Sequence, residues 1–248
     1  MELHHLHNCL WGQINILSTL LTFLAFYLVT KDHPNLGSLS LGLAITLKIT
    51  AVFTLPLFVL YLLKKNDRKS AIKLALLSCL LPIIFTFSVF TIYNWDIAYF
   101  FNTIFYSTSV TITPLQISGG CMNIWSFIGL LGFDIAQYGI LRLLWIPLVI
   151  LGYAYWFRKE MTNSNLVFSI ISIYFLFMLS YGWVTEQTFL DVLPFIFLFV
   201  IAYKPSKLAL YGLAIVQLLV FGFSLFNWGP FIFQPLISNF YPSLLPTI

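Results

Sequence analysis

The chain has 248 residues, of which 60% are hydrophobic and only 8% charged, and it carries a formal net charge of +4. An ordinary soluble domain carries roughly 25% charged residues, because it must cover itself with polar groups. The composition excludes a water-soluble globular enzyme of this size. It also excludes nucleic-acid binding, because the basic residues are spread over short turns between apolar runs and form no stripe.

A membrane-spanning helix needs about 20 predominantly apolar residues. Runs of that kind occupy 14–30, 71–93, 138–157, 164–183, 188–203 and 207–226. The first opens in the string LWGQINI, which sets the amides Gln13 and Asn15 at the mouth of an apolar stretch. A further stretch, 36–63, is interrupted by Lys48. As one straight helix its roughly 28 residues would be about 42 Å long, too long for a hydrocarbon core of about 30 Å. Splitting it at Lys48-Ile49-Thr50 gives a hairpin and returns the chain to the side of Lys31. The fold expected is all-α: a polytopic transmembrane helix bundle of seven to eight membrane helices, including the hairpin centred on Lys48.

Charge sets the expected direction, since Lys and Arg concentrate in cytoplasmic turns. Lys64, Lys65, Arg68, Lys69 and Lys73 crowd one connection, Arg158 and Lys159 a second, Lys204 and Lys207 a third. Segments 94–137, 184–187 and 227–248 hold no Lys or Arg. The basic turns are therefore expected in the cytoplasm and the other segments on the external or luminal face. The chain reads as a single transmembrane domain over 1–248. It comprises helices over 1–93, an external interfacial segment and loop over 94–137, C-terminal helices over 138–226 and an external tail over 227–248.

The ionisable residues expected near the external face are Lys48, Asp96, Asp134, Arg142, Glu186 and Asp191. Such groups at membrane depth face a wet cavity or one another, because exposure to lipid costs several kcal/mol. Lys48 and Arg142 are the cations suited to an anionic headgroup, against the plainer reading of interfacial anchoring. Glu186 and Asp191 are candidates for a general base or a counter-ion, and the Glu186-Gln187 pair would also suit a helix start. Lys48 precedes Pro56 by the same eight-residue step that separates Glu186 from Pro194, which places Lys48 and Glu186 at similar depth. His4, His5 and His7 sit in an N-terminal stretch with no carboxylate or cysteine placed to close a site, so no metal is expected there, and no cofactor is expected. Cys79, inside an apolar run, reads as a small core residue.

The string WGQINILSTLLTFLAFYLVTKDHPNLGSLSLGLAITLKITAVFTLPLFVLYLLKK resembles the multi-pass GT-C glycosyltransferases, in particular mannosyltransferase-like branches that use polyprenyl-phosphate sugars. Gly12-Gln13, Gly42, Lys48 and Pro56 match their layout, and Glu186-Gln187 resembles a late external turn of the same family. The resemblance implies transfer of a hexosyl or mannosyl group from a polyprenyl-phosphate sugar on the external or luminal face. It implies Lys48 as the phosphate contact, Arg142 as a helper, and Gln13, Asn15 and Gln187 lining the site. In that family the general base sits in an acidic loop upstream of the Gly-Gln motif, where this chain has only MELHHLHNCL. The base is therefore expected outside this chain, in an N-terminal half or a partner subunit. Alone, the chain is expected not to transfer sugar. A transporter or flippase-like bundle and a non-catalytic membrane subunit are the competing expectations. The location expected is integral to a cell membrane or, in a eukaryote, the ER membrane, among lipids as partners.

Overall fold

A computed structural model describes residues 2–98, 144–181, 186–203, 205–208, 210–215 and 218, with residues 2–14 and 186–188 described for backbone only. Among these residues every regular element is helical. In chain order they are α1 (Glu2–Thr30), α2 (Pro34–Leu47), a 3₁₀ segment (Ile49–Thr54), α3 (Leu55–Lys64), α4 (Arg68–Ile92), α5 (Trp145–Phe157), α6 (Asn163–Ser180) and α7 (Glu186–Tyr203). By internal contacts the chain divides into two compact units. The first holds residues 1–111, 146–177 and 187–204, and the second holds 112–145, 178–186 and 205–248.

The turns of the first unit share one device. Asp32, Asn66 and Asn94 follow helix ends with φ of 62°, 62° and 51°. This left-handed region is one that Asn and Asp tolerate better than most residues. Each is followed by a backbone N–H that reaches back five residues to close the helix: His33 to Leu28 at 2.8 Å, Asp67 to Leu62 at 3.0 Å, Trp95 to Phe90 at 2.9 Å. The tight turns at 31–33 and 65–67 join α1 to α2 and α3 to α4. Pro34 and Asp67 then start the next helices. Proline suits the first helical turn, and the Asp67 carboxylate accepts from the Ser70 N–H at 3.1 Å. The Ser70 hydroxyl first, and then its N–H, hold that carboxyl below the usual carboxylate range.

The stretch 36–63 is broken where expected. Lys48 is extended, with φ −151° and ψ 116°, between α2 and the 3₁₀ segment. Its two ends return to one level, because Lys65 after α3 meets Asp32 before α2 at 3.1 Å. This exposed pair contributes little stability, but it shows that the chain goes out along α2 and comes back along α3. At the same end Lys64 lies over the Phe157 ring at 5.4 Å. The Tyr61 hydroxyl donates to Asn163 Oδ1 at 2.6 Å. The turns bearing Lys31, Lys64-Lys65 and Arg158-Lys159 thus share one end of the unit.

Small residues let the helices approach closely. A Cβ on Gly37 would meet Val29 Cγ2 at 2.7 Å, and one on Gly42 would meet Leu81 Cβ at 3.1 Å. Hydroxyls bridge the same seams to backbone carbonyls: Ser18 to Ala44 at 3.0 Å, Ser40 to Leu21 at 2.7 Å, Ser78 to Ser38 at 3.1 Å. Close contact of small residues with hydroxyl cross-links is the packing that helices use where lipid removes the hydrophobic drive to associate. Ser38 and Ser78 are fully buried.

Among the described residues two helices, α4 and α6, are long and apolar enough to cross a membrane. The other apolar helical stretches, Asn15–Thr30, Pro34–Leu47, Ile49–Lys64, Trp145–Phe157 and Phe189–Tyr203, are shorter. The two long helices differ in setting: only 6% of the apolar window of α4 is buried, against 61% for α6. The 25 residues of α4 extend about 37 Å, from the basic turn to Tyr93 and Trp95, whose rings stack at 5.4 Å. Aromatics at that depth are the usual membrane-interface anchors. Cys79 lies exposed on α4, a correction to the core position expected for it. A peripheral helix is apolar on its outer face too, so an apolar run did not mark a buried one.

Of the second unit, Trp145 packs edge-on against Tyr181 at 5.8 Å, and residues 207, 208 and 210–215 are helical. The expected external loop and tail fall almost wholly outside the described residues, as do Asp134 and the side chains of His4, His5 and His7. Replacing Gly37 by Leu should lower stability by about 1–3 kcal/mol through overpacking, read as a fall in unfolding midpoint in detergent. Gly212, with nothing within 4 Å of a Cβ, should tolerate Ala without loss.

Candidate functional site at the Lys48 break

A helix broken inside an apolar bundle leaves backbone carbonyls that lipid cannot satisfy. Here side chains from α5 and α6 supply the partners. Tyr153 donates to the Phe53 carbonyl at 2.8 Å, and Tyr174 lies 3.3 Å from the Thr50 carbonyl. The 3₁₀ segment runs six residues, longer than the usual three or four. Phe53, within that segment, packs 4.4 Å from the Phe177 ring.

The break carries an ion pair. Lys48 Nζ lies 2.8 Å from Asp191 Oδ2, with side chains 15% and 5% exposed. Thr50 donates to the same carboxylate oxygen at 2.9 Å, and Thr19 to Oδ1 at 3.0 Å. Three residues from two separate stretches, α1 and the Lys48 break, therefore converge on one carboxylate of α7, within the first unit. Thr19 also lies 2.9 Å from the Asn15 carbonyl, so its single hydrogen is shared. An isolated buried carboxylate would be strongly disfavoured; this one is held by a cation and two hydroxyls.

Local sequence explains how the partners arrive. On α1, Asn15, Ser18, Thr19 and Thr22 are all buried, and their spacing of three and four residues places them on one helix face. One turn further, Phe23 and Phe26 pack against Phe195 at 5.5 and 5.8 Å. Thr19 meets Asp191, and Phe23 meets the residue four positions beyond it. The two helices therefore run parallel, toward the end bearing the basic turns.

Of the residues singled out from the sequence, Lys48 and Asp191 come together, and Asn15 lies buried one helical turn from Thr19. The helix containing Gln13 and Asn15 begins at Glu2, so the two amides lie within it, not at its start. The acid that meets Lys48 is Asp191, five residues along α7 from Glu186, or about 7.5 Å of helix. Glu186 and Gln187 open α7, with side chains outside the described residues, as is that of Gln13. Arg142 is outside them altogether. Thr19 and Thr50 were not foreseen; the polar stripe on α1 was the available signal for Thr19. Among the described residues no cluster of three or more His, Cys, Asp or Glu could hold a metal ion.

Replacing Thr19 or Thr50 by Val removes a hydrogen bond to a charged group while nearly conserving volume. Each should lower stability by roughly 1.5–3 kcal/mol, measured by chemical unfolding in detergent, whereas Thr46→Val, which loses only a bond to its own helix, should cost less.

Among curated proteins and solved structures, none matches the chain. The sequence model of Glycosyltransferase family 87 matches residues 4–181, a region that contains the Lys48 break and its tyrosine supports. By that match the chain belongs to glycosyltransferase family 87, a GT-C type family of membrane glycosyltransferases.

Proposed function

We propose that this chain is a multi-pass membrane protein that handles a polyprenyl-phosphate-linked hexose or mannose, with Lys48 as the contact to the lipid phosphate. The observation that carries this reading is the placement of Lys48. It sits on a break between helices, at the end of the first unit remote from the turns of Lys31, Lys64-Lys65 and Arg158-Lys159, and is the more exposed member of its ion pair. If those turns are cytoplasmic, Lys48 lies toward the external or luminal face, where a lipid headgroup meets protein. An ammonium in a partly dry site is a strong partner for a phosphate oxygen.

In the proposed reaction an acceptor oxygen forms a bond to the sugar's anomeric carbon. The bond from that carbon to the phosphate oxygen breaks, and the lipid phosphate leaves with the electron pair. A general base takes the acceptor's proton, and cationic and amide donors stabilise the departing phosphate. Lys48 fits the second task, with Arg142, Gln13, Asn15 and Gln187 as further donors. Asp191 does not suit the first, because its two oxygens already accept from Lys48, Thr50 and Thr19. Glu186 remains a candidate base within the chain, and an acidic residue supplied by another segment or subunit is the alternative source.

Binding tests this reading without knowledge of the acceptor. In nanodiscs the protein should bind undecaprenyl phosphate in preference to undecaprenol, and Lys48→Met should reduce that preference at least roughly tenfold, the weight of one hydrogen bond to a charged group. Equal affinity for the phosphate and the alcohol in the unsubstituted protein would overturn it.

A further inference from the structure

We infer that Asp191 is an exchangeable counter-ion, a carboxylate that holds Lys48 when no anion is bound and gives it up to the phosphate of an incoming lipid. This inference rests on the reading of Lys48 above and adds the residues that govern its availability.

Three observations carry it. First, the pair is asymmetric. The Asp191 side chain is 5% exposed and the Lys48 side chain 15%, so the lysine is the member that can turn toward a ligand while the carboxylate stays inside. Second, the carboxylate keeps partners when the lysine leaves. Thr19 donates to Oδ1 and Thr50 to Oδ2, one hydroxyl on each oxygen. Without them, departure of Lys48 would strand a bare carboxylate in an apolar bundle, at a cost that would lock the pair shut. Third, the lysine stands on extended backbone between two helices, its main chain held by the Ala44 carbonyl at 2.9 Å and the Ala51 N–H at 3.1 Å, so the side chain can swing while the backbone stays fixed. Its stem is long and flexible, and an ammonium makes few geometric demands on its partner.

A carboxylate oxygen and a phosphate oxygen compete for the same ammonium. Asp191 therefore lowers the affinity for a phosphate, and in return a cation is never left buried and unpaired before the ligand arrives or after it departs. The two threonines set the balance. The fewer hydroxyls the carboxylate has, the more it depends on Lys48 and the less readily it releases it.

The test compares affinities for undecaprenyl phosphate and undecaprenol in nanodiscs, the alcohol reporting on the integrity of the fold. Asp191→Asn should tighten binding of the phosphate by roughly fivefold or more, a typical size for coupling between two interactions, and leave the alcohol unchanged. The double variant Thr19→Val/Thr50→Val should move the phosphate the opposite way by a similar factor, again sparing the alcohol. A merely structural brace would move both lipids together and both variants in one direction. If Asp191→Asn weakens or does not change phosphate binding while Lys48→Met abolishes the preference for phosphate, the exchange is wrong and the reading of Lys48 stands. If Lys48→Met leaves that preference intact, both fall. Should Asp191→Asn fail to fold, the threonine variant decides alone, and unchanged phosphate affinity in it overturns the exchange.

Discussion

A helix that stops inside an apolar bundle must find new partners for its backbone, and the first unit is arranged around meeting that demand at Lys48. The carbonyls of Thr50 and Phe53 are reached by phenols from α6 and α5, helices far along the sequence. The Lys48 side chain is met by a carboxylate from α7. Helices α5, α6 and α7 are thereby tied to the first part of the chain by polar contacts at the same short segment. The close seams of α1, α2 and α4, with their glycines and serines, bring up the remaining walls.

The polar contacts at the break are costly to form and more costly to leave half-formed. A buried ion pair is weak evidence for stability in itself, since desolvation of both charges offsets their attraction. What distinguishes this pair is the added solvation by Thr19 and Thr50 and its position on irregular backbone. A pair kept only to hold helices together would sit as well on two continuous helices. The lysine's place at a break, away from the basic turns, is what supports the proposed contact to a lipid phosphate.

The hairpin at Lys48 was legible because length and charge both argued against a single helix through 36–63. The common end of the basic turns was legible for the same reason, and the contacts of Lys65 with Asp32 and of Tyr61 with Asn163 agree with it. The partner of Lys48 was not. Asp191 was visible as a buried-depth acid, but the eight-residue steps to Pro56 and Pro194 pointed to Glu186. Spacing to a proline reports local helix position and not the relative height of two helices. Thr19 was hidden for another reason: in an apolar run its hydroxyl looks like one more small residue, until the stripe with Asn15, Ser18 and Thr22 is counted at helical spacing. The Cys79 position shows the converse limit, since hydropathy does not separate a lipid-facing residue from a core one.

The central claim is that Lys48 and Asp191 are energetically coupled, and a double-mutant cycle on unfolding measures that directly. Lys48→Met and Asp191→Leu, each alone, leave a buried charge without its partner and should each cost about 3–5 kcal/mol. The double variant removes both charges, so its cost should fall well short of the sum and be no larger than that of either single change. Strict additivity would contradict the account, because it would mean that the two side chains do not meet in the folded protein.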